Sequence, residues 1–369
     1  MRQALEALGF ALSAALVVAT VLSAIRAVVL PRAAQNLVPR LTTAALRALF
    51  RARASRYPGY QERDRIMAML APIALVAMLL TWLVMIFLAY AVMFFCLDSR
   101  SFAHAVSVSG SSLVTLGTFS ESRFWLSILS DSEAGLGLLV VALFISYFPS
   151  IYSAFTRRET GVTLLSVRAG SPPRPTTMLV RYHRIEGRLN QLTELWRSWE
   201  GWFADIEESH TTFPILVHFR SPQPERSWIA AAGVLLDTAA FWLACVDHVV
   251  DPDAQLCVRA GFLALRHIAD GFEITYDPDP RQDGPISIAR EEWDAAMAEL
   301  ESAGVPLVTD RDRAWLDWRG WRVNYDAVLL GLARVTEAPM VPWVSDRSPV
   351  RLAGSPVRRS PWSRSGRRR

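Results

Sequence analysis

The densest group of side chains that could do chemistry lies at residues 200–210. It combines the acids Glu200, Asp205, Glu207 and Glu208 with His210, and Asp237 or His218 could join it. Such a carboxylate–histidine set can bind a metal ion or move protons. Glu207 and Glu208 are adjacent, however, and point in different directions, and no HExxH spacing occurs. The pattern therefore favours a charged helix end over an enzyme that uses Glu207, Glu208 and His210.

Other catalytic signatures are absent from the sequence. It has no Walker loop, no glycine-rich dinucleotide fingerprint and no GxSxG elbow. Its three cysteines, Cys96, Cys245 and Cys257, form no CxxC pair and no Cys/His metal spacing. We expect them to be small buried or lipid-facing residues. The prediction is a non-enzyme with no cofactor and no metal site.

A second chemically capable group is the backbone of an uncharged stretch, SFAHAVSVSGSSLVTLGTFS at 101–120. Up to about residue 114 it favours a helix, which is too short to span a membrane and too apolar for an exposed loop. A short helix that enters the bilayer and returns solves this conflict, provided that the return is buried in protein or lines water. His104 in this helix is either a proton sensor or, as we favour, an interfacial hydrogen-bonding residue.

The order of helix, re-entrant helix, Thr-Leu-Gly and second helix resembles the pore module of bacterial two-helix potassium channels over about residues 66–156. In that family, backbone carbonyls of a Thr-Val-Gly-Tyr-Gly strand replace the hydration shell of the ion, and four copies surround one axis. The resemblance implies a homotetramer and a permeant monovalent cation, potassium or sodium. It implies a selectivity filter of Thr115, Leu116, Gly117, Thr118 and Phe119.

The outer half of this filter departs from the family pattern. Thr118 stands at the aromatic position and Phe119 at the second glycine. Glycine adopts the backbone dihedrals of such a strand without steric cost, so we expect a rearranged outer filter at Phe119. Ser120 replaces the acidic residue of the family, but four copies of Glu121 could form a cation-attracting ring at the outer mouth, with Arg123 opposing it.

The following helix matches the inner, pore-lining helix of that module. Gly137 lies in its outer half and Pro149 near its inner end. Proline in a helix interior removes a backbone hydrogen bond and can kink the helix. These two residues are the candidate hinge, while the alternative is that Pro149 marks where the helix leaves the bilayer.

Three uncharged runs are long enough to cross a bilayer: 8–25, 66–97 and 134–156. The second could extend about 48 Å against a hydrocarbon core of about 30 Å, so it must tilt or enter the headgroups. The first run could instead be a cleaved signal peptide, but its flank is weakly charged and no convincing cleavage site follows.

A fourth apolar stretch, 228–246, is interrupted by Asp237. A charge at mid-bilayer costs about 2.5 to 3.5 kcal/mol on insertion scales. Spanning would also place the arginine-rich tail outside. We therefore predict a buried helix of a water-facing domain, with a fourth span as the alternative.

Arginine placement predicts the orientation. Segment 31–65 carries eight arginines and segment 98–133 carries two, and basic loops remain in the cytoplasm. Arg157 and Arg158, after the third run, agree with this orientation. The prediction is a multi-pass protein of the cell (inner) membrane, with the N-terminus outside and the C-terminus cytoplasmic.

The remainder reads as an all-α cytoplasmic domain, since little strand alternation occurs. Helical patterns cover 176–186, 188–209, 226–249, 254–271, 288–303 and 310–336. In the second, Leu189, Leu192, Trp196, Trp199, Phe203 and Ile206 form either a subunit seam or, as we favour, a core face.

The fold class predicted is an all-α membrane protein, with three transmembrane helices, a re-entrant pore loop and a cytoplasmic all-α domain. Its segments are a first span (1–30), a basic cytoplasmic loop (31–65), the channel-like module (66–156), a linker (157–175), the helical domain (176–345) and a basic disordered tail (346–369). The arginine-rich loop and tail predict anionic lipid as a partner, and not nucleic acid. The alternative function is a non-conducting membrane scaffold whose cytoplasmic domain binds a partner.

Overall fold

The computed structural model of the chain describes residues 2–28, 37–98, 101–117, 123–185 and 188–347. Throughout these residues the protein is helical and contains no β-strand. Extended pairing there is limited to an isolated antiparallel bridge between Val246 and Leu307. The predicted all-α class is therefore confirmed.

The chain divides into two compact units, Met1–Ser153 and Ala154–Arg369. The N-terminal unit contains five complete helices and the beginning of a sixth. These are α1 (Arg2–Val28), α2 (Leu37–Ala54), α3 (Tyr60–Ala68), α4 (Leu70–Leu97), α5 (Phe102–Leu113) and α6 (Phe124–Ala169). α4 is the centre of this unit, because α1, α2 and α5 all pack against it.

The helices of the N-terminal unit leave much apolar surface uncovered. Leu8 and Leu12 on α1, Val76 and Leu80 on α4, and Leu138 on α6 are all more than half exposed. Large apolar patches of this kind mark surfaces that contact lipid or protein. Four helices of the described chain are long and apolar enough to cross a membrane. In the apolar 18-residue stretches of α1, α4 and α6, only 22%, 39% and 22% of the residues are buried within the protein.

Two segments differ from the sequence prediction. The basic loop at 31–65 contains the helices α2 and α3. The linker at 157–175 is helical as far as Ala169, because α6 continues through Pro149 and the two arginines that follow. The irregular break is confined to the turn at 170–174, where Gly170 has a φ of 90°.

The described residues of the C-terminal unit form seven further α-helices and two short 3-10 helices, Arg188–Gln191 and Pro214–His218. The α-helices are α7 (Pro175–Arg184), α8 (Leu192–Thr212), α9 (Trp228–Cys245), α10 (Pro252–Asp270), α11 (Arg290–Ser302), α12 (Arg311–Arg322) and α13 (Asp326–Thr336). The pattern at 310–336 predicts one helix, but the structure has two. Arg322 and Tyr325, on either side of the break, both donate to the buried carboxylate of Asp237.

α9 is the core helix of the C-terminal unit. It packs against α7, α10, α12 and α13. Of its 18 residues, 94% are buried within the protein. The apolar face of α8 is buried too, at Leu192, Trp196, Trp199, Phe203 and Ile206. This agrees with the core-face interpretation of the α8 pattern. Length and composition would let α9 cross a membrane, but its surface is covered by protein.

Candidate functional site

The helix α5 is held in the N-terminal unit by a polar cap and a serine-rich face. Ser101 Oγ accepts a hydrogen bond from the backbone N–H of His104, which fixes the first turn. Ser109 Oγ lies 3.0 Å from the carbonyl oxygen of Phe87 on α4, and Ser112 Oγ is hydrogen bonded to Ser130 Oγ on α6. α5 thus has hydroxyl contacts to the helices on either side of it in the sequence.

The chain leaves α5 in an unusual turn. Thr115 N donates to the Ser112 carbonyl and Leu116 N to the Ser111 carbonyl, each at 2.9 Å, which is the Schellman pattern of a helix end. Thr115 has a φ of 57° and Gly117 a φ of 64°, whereas Leu116 between them is not left-handed. Positive φ at a β-branched residue is rare and strained.

In a single chain, the described residues of the predicted filter are exposed at the surface. Residues 114–117 are all exposed, with Leu116 at 67%. Thr118, Phe119 and Glu121 lie outside the described residues. Arg123, which the sequence places beside them, has a guanidinium nitrogen 3.8 Å from a carboxylate oxygen of Asp98.

The two hinge candidates on α6 have different surroundings. A Cβ on Gly137 would lie 2.9 Å from Leu113 Cδ1 and 3.1 Å from the Leu113 carbonyl oxygen, so this glycine lets α6 approach the end of α5. A Cβ on Gly135 would meet nothing within 4 Å. Pro149 lies inside α6, which continues for 20 residues after it to Ala169, so the proline does not end the helix.

Glu133 is a site residue that the sequence analysis missed. It is 0% exposed, its Oε1 lies 2.6 Å from Ser109 Oγ, and its Oε2 is buried without a partner among the described residues. Nearby on α6, Ser132 Oγ is 2.9 Å from the hydroxyl of Tyr90. The available signal was an acid directly before the uncharged run 134–156, together with the clustered serines of α5.

The structure does not bring the acidic group at 200–210 together. Asp205 pairs with Arg157 at 3.0 Å, Glu207 pairs with His267 at 2.6 Å, and Asp237 lies in the core of the unit. No cluster of three metal-ligating side chains occurs in the part of the chain that the structure describes. Asp205 and Glu207 are thus members of two separate ion pairs.

His210 instead belongs to a buried network around Arg158, in the C-terminal unit. The Arg158 guanidinium donates to the Leu216 carbonyl at 2.9 Å and to Glu159 Oε1 at 2.8 Å, and lies 3.3 Å from His210 Nε2. His210 Nδ1 is 3.0 Å from the Ile206 carbonyl, which makes Nδ1 the donor and leaves Nε2 to accept from Arg158. Burial and the charge of Arg158 hold the pKa of His210 well below its usual range.

Asp237 is the partner of a second buried arginine. Arg322 donates to both oxygens of Asp237, at 2.7 and 2.6 Å, to Asp326 at 2.8 Å and to the Trp343 carbonyl at 2.6 Å. Burial by itself lowers the pKa of Arg322, but the two carboxylates outweigh it and raise that pKa. The Tyr325 hydroxyl adds a hydrogen bond to Asp237 at 2.8 Å. This charge is paired inside the unit.

The helix α2 has a basic edge between two apolar faces. Leu46 and Phe50 face the protein, where they pack against Met67 and Leu70. The opposite stripe is exposed and apolar, at Leu37, Leu41, Ala45, Ala48, Leu49 and Ala52, and Arg40, Arg47 and Arg51 flank it. A helix with an apolar stripe edged by arginines is typical of the membrane interface.

Comparisons of this chain with protein-family models, with curated proteins and with solved structures found no match.

Proposed function

We propose that this chain is one subunit of a homotetrameric cation channel, in which Thr115, Leu116 and Gly117 line the narrowest part of the pore. The observation that carries the proposal is the turn after α5. A short helix between two apolar helices ends in a segment in which Thr115 and Gly117 have positive φ, 57° and 64°, on either side of Leu116. Backbone carbonyl groups that face a shared axis can replace water around a cation.

The exposure of this turn supports assembly around it. Leu116 is 67% exposed and Val114 is 60% exposed on the single chain. Non-helical backbone at membrane depth is tolerated only where protein or a water-filled path surrounds it. One chain supplies one re-entrant segment, so a closed ring of four copies would cover the turn and create one axis.

The proposed topology has three spans, α1, α4 and α6, with α5 as the re-entrant helix. α9 is not counted among these spans, because the burial of 94% of its residues within the protein supports a core helix. An odd number of spans puts the termini on opposite sides of the membrane. The arginines of α2 and of the segment around it then favour a cytoplasmic C-terminal unit, in the cell membrane.

Anionic lipid is the proposed second partner of the N-terminal unit. α2 lies between the proposed spans α1 and α4, so both of its ends are held near the bilayer. Its exposed stripe around Leu41 would enter the boundary between headgroups and acyl chains, and its arginines would face acidic headgroups. Each such charge near an anionic surface contributes about 1 kcal/mol.

Cation flux through the purified protein in liposomes tests the channel proposal. Potassium and sodium gradients are compared, in vesicles with and without anionic lipid. A Gly117→Asp variant places a side chain where φ is 64°, and we expect it to reduce flux to the level of protein-free vesicles. Gly135→Ala is the matched control, since its Cβ meets open space. Thr118→Tyr combined with Phe119→Gly should change the potassium-to-sodium ratio.

The outcomes separate two functions. Flux that survives in Gly135→Ala and disappears in Gly117→Asp supports a pore lined by this turn. Wild-type protein that stays silent across pH and voltage would favour the non-conducting scaffold, with the C-terminal unit as its partner-binding part. Equal elution volumes of the variants in size-exclusion chromatography would show that lost flux does not reflect lost assembly.

A further inference from the structure

The carboxyl group of Glu133 is buried in the N-terminal unit and is only partly hydrogen bonded among the described residues. The side chain is fully buried, one oxygen contacts Ser109, and the other has no partner among the described residues. An ionisable side chain inside a membrane-embedded unit is costly and is a functional candidate by default. Helix packing alone does not explain why an ionisable side chain is buried at this position.

Ser109 has two close oxygen neighbours but a single hydroxyl hydrogen, which bears on the protonation of Glu133. Its Oγ lies 3.0 Å from the Phe87 carbonyl oxygen and 2.6 Å from Glu133 Oε1. A carbonyl oxygen accepts only, and a serine hydroxyl has a single hydrogen to donate. If Ser109 donates to Phe87, the hydrogen in the shorter contact must come from Glu133. A carboxylate would leave one of the two contacts without a hydrogen.

Within the described residues, no positively charged side chain contacts Glu133. The titratable group that faces it from α4 is Tyr90, whose hydroxyl is engaged with Ser132. α5 contributes the hydroxyl of Ser109, and the hydrogen bonds and ion pairs of the described residues include no arginine or histidine contact to this carboxyl. A buried carboxylate without a cation is far more costly than a neutral carboxylic acid.

We propose that Glu133 is a proton-binding site, which carries a proton at neutral pH and links three helices through it. The carboxylic acid on α6 donates to Ser109 Oγ on α5, and Ser109 donates to the Phe87 carbonyl on α4. Removal of the proton breaks the first of these hydrogen bonds and leaves a charge beside α5. The turn at Thr115 follows the same helix, so the proton would bear on the proposed pore. This last consequence rests on the proposed function, whereas the protonation itself does not.

Infrared spectroscopy of the full-length protein in liposomes tests the proton site directly. A protonated carboxyl group has a carbonyl stretch that is separate from the bands of carboxylates and that shifts in heavy water. We expect this band in the wild type at neutral pH and expect its loss in Glu133→Gln, whose amide keeps the shape and a donor. Asp131→Asn is the matched control, since it removes an exposed acid two residues earlier in α6. That variant should retain the band.

A second variant keeps the proposal testable if Glu133→Gln does not fold. Ser109→Ala retains the carboxyl group but removes its acceptor, so the band should persist at a shifted frequency. The proposal is overturned if no protonated-carboxyl band disappears in Glu133→Gln, or if Asp131→Asn removes the same band. The spectrum does not depend on conduction. If the protein shows this band but conducts no cations, the channel proposal is contradicted and the proton-site proposal is supported.

Discussion

The two units of this protein each bury an ionised or ionisable side chain, and they treat it differently. In the C-terminal unit, every guanidinium nitrogen of Arg322 has an acceptor, supplied by Asp237, Asp326 and Trp343. In the N-terminal unit, one oxygen of Glu133 contacts Ser109, and the other has no partner in the part of the chain that the structure describes. A complete network stabilises a single arrangement of its helices, whereas an incomplete one leaves a group that can gain or lose a proton. By this difference, Arg322 is a residue that specifies the fold, whereas Glu133 is a candidate for proton binding.

Breaking the Arg322 network should have the largest effect. Arg322→Met leaves Asp237 and Asp326 buried without their cation, and loss of one partner of a buried pair costs about 3–5 kcal/mol. The measurement is the free energy of unfolding in detergent, followed by tryptophan fluorescence, which reports mainly on the C-terminal unit because most tryptophans follow residue 153.

The control for Arg322→Met is Arg313→Met. Arg313 forms an exposed pair with Asp317 one helical turn away, and such pairs contribute about 0.3–0.5 kcal/mol. Similar losses in the two variants would show that the buried network does not stabilise the C-terminal unit as argued.

Close glycine contacts should give an intermediate effect in the C-terminal unit. A Cβ on Gly161 would lie 2.1 Å from Nε1 of Trp202, a buried indole that donates to the Arg158 carbonyl. Gly161→Ala must displace this ring, and overpacking costs about 1–3 kcal/mol. The same denaturation measurement checks the prediction.

Two further glycines sharpen that result. Gly201 on α8 has nothing within 4 Å of its Cβ position, so Gly201→Ala should stabilise by about 0.5–1 kcal/mol. A Cβ on Gly137 in the N-terminal unit would lie 2.9 Å from Leu113 Cδ1 and 3.1 Å from the Leu113 carbonyl oxygen, both longer than the 2.1 Å contact at Gly161. Gly137→Ala should therefore destabilise less than Gly161→Ala, and the reverse order would refute this ranking by contact distance.

The smallest effect expected is a pH dependence from His210. Burial and Arg158 lower the pKa of this histidine in the folded protein, whereas the unfolded chain binds a proton near pH 6.5. Stability from the neutral imidazole is thus complete above pH 6.5 and falls as the pH decreases below it, by at most about 1.4 kcal/mol per pH unit.

The comparison of two variants on α8 isolates this pH dependence. His210→Gln should flatten the loss of stability between neutral and mildly acidic pH, because the amide cannot take up the proton. Gly201→Ala, which changes no titratable group and meets open space, should leave the slope unchanged. A slope that persists in His210→Gln would assign the acid sensitivity to other groups.

Much of the fold could be predicted because it depends on local sequence. Long uncharged runs specify α1, α4 and α6, and the 3–4 spacing of apolar residues specifies the buried face of α8. The helical nature of α5 also follows from its own residues and from the serine that caps it. The lengths of α2 and α6 were harder to predict from the sequence. Charged residues interrupt the apolar pattern of each helix but do not end the helix.

The sequence alone determined that the chain is helical, that several helices can cross a membrane, and that a short helix with Thr-Leu-Gly stands between two of them. Only the tertiary structure decided that α9 is covered by protein, that the acids at 200–210 have separate partners, and that Glu133 is buried beside Ser109. Hydropathy and helix formation are summed over neighbours in the chain. Burial and hydrogen bonding depend on residues far apart in sequence, as Glu133 and Phe87 are, and only folding brings those together.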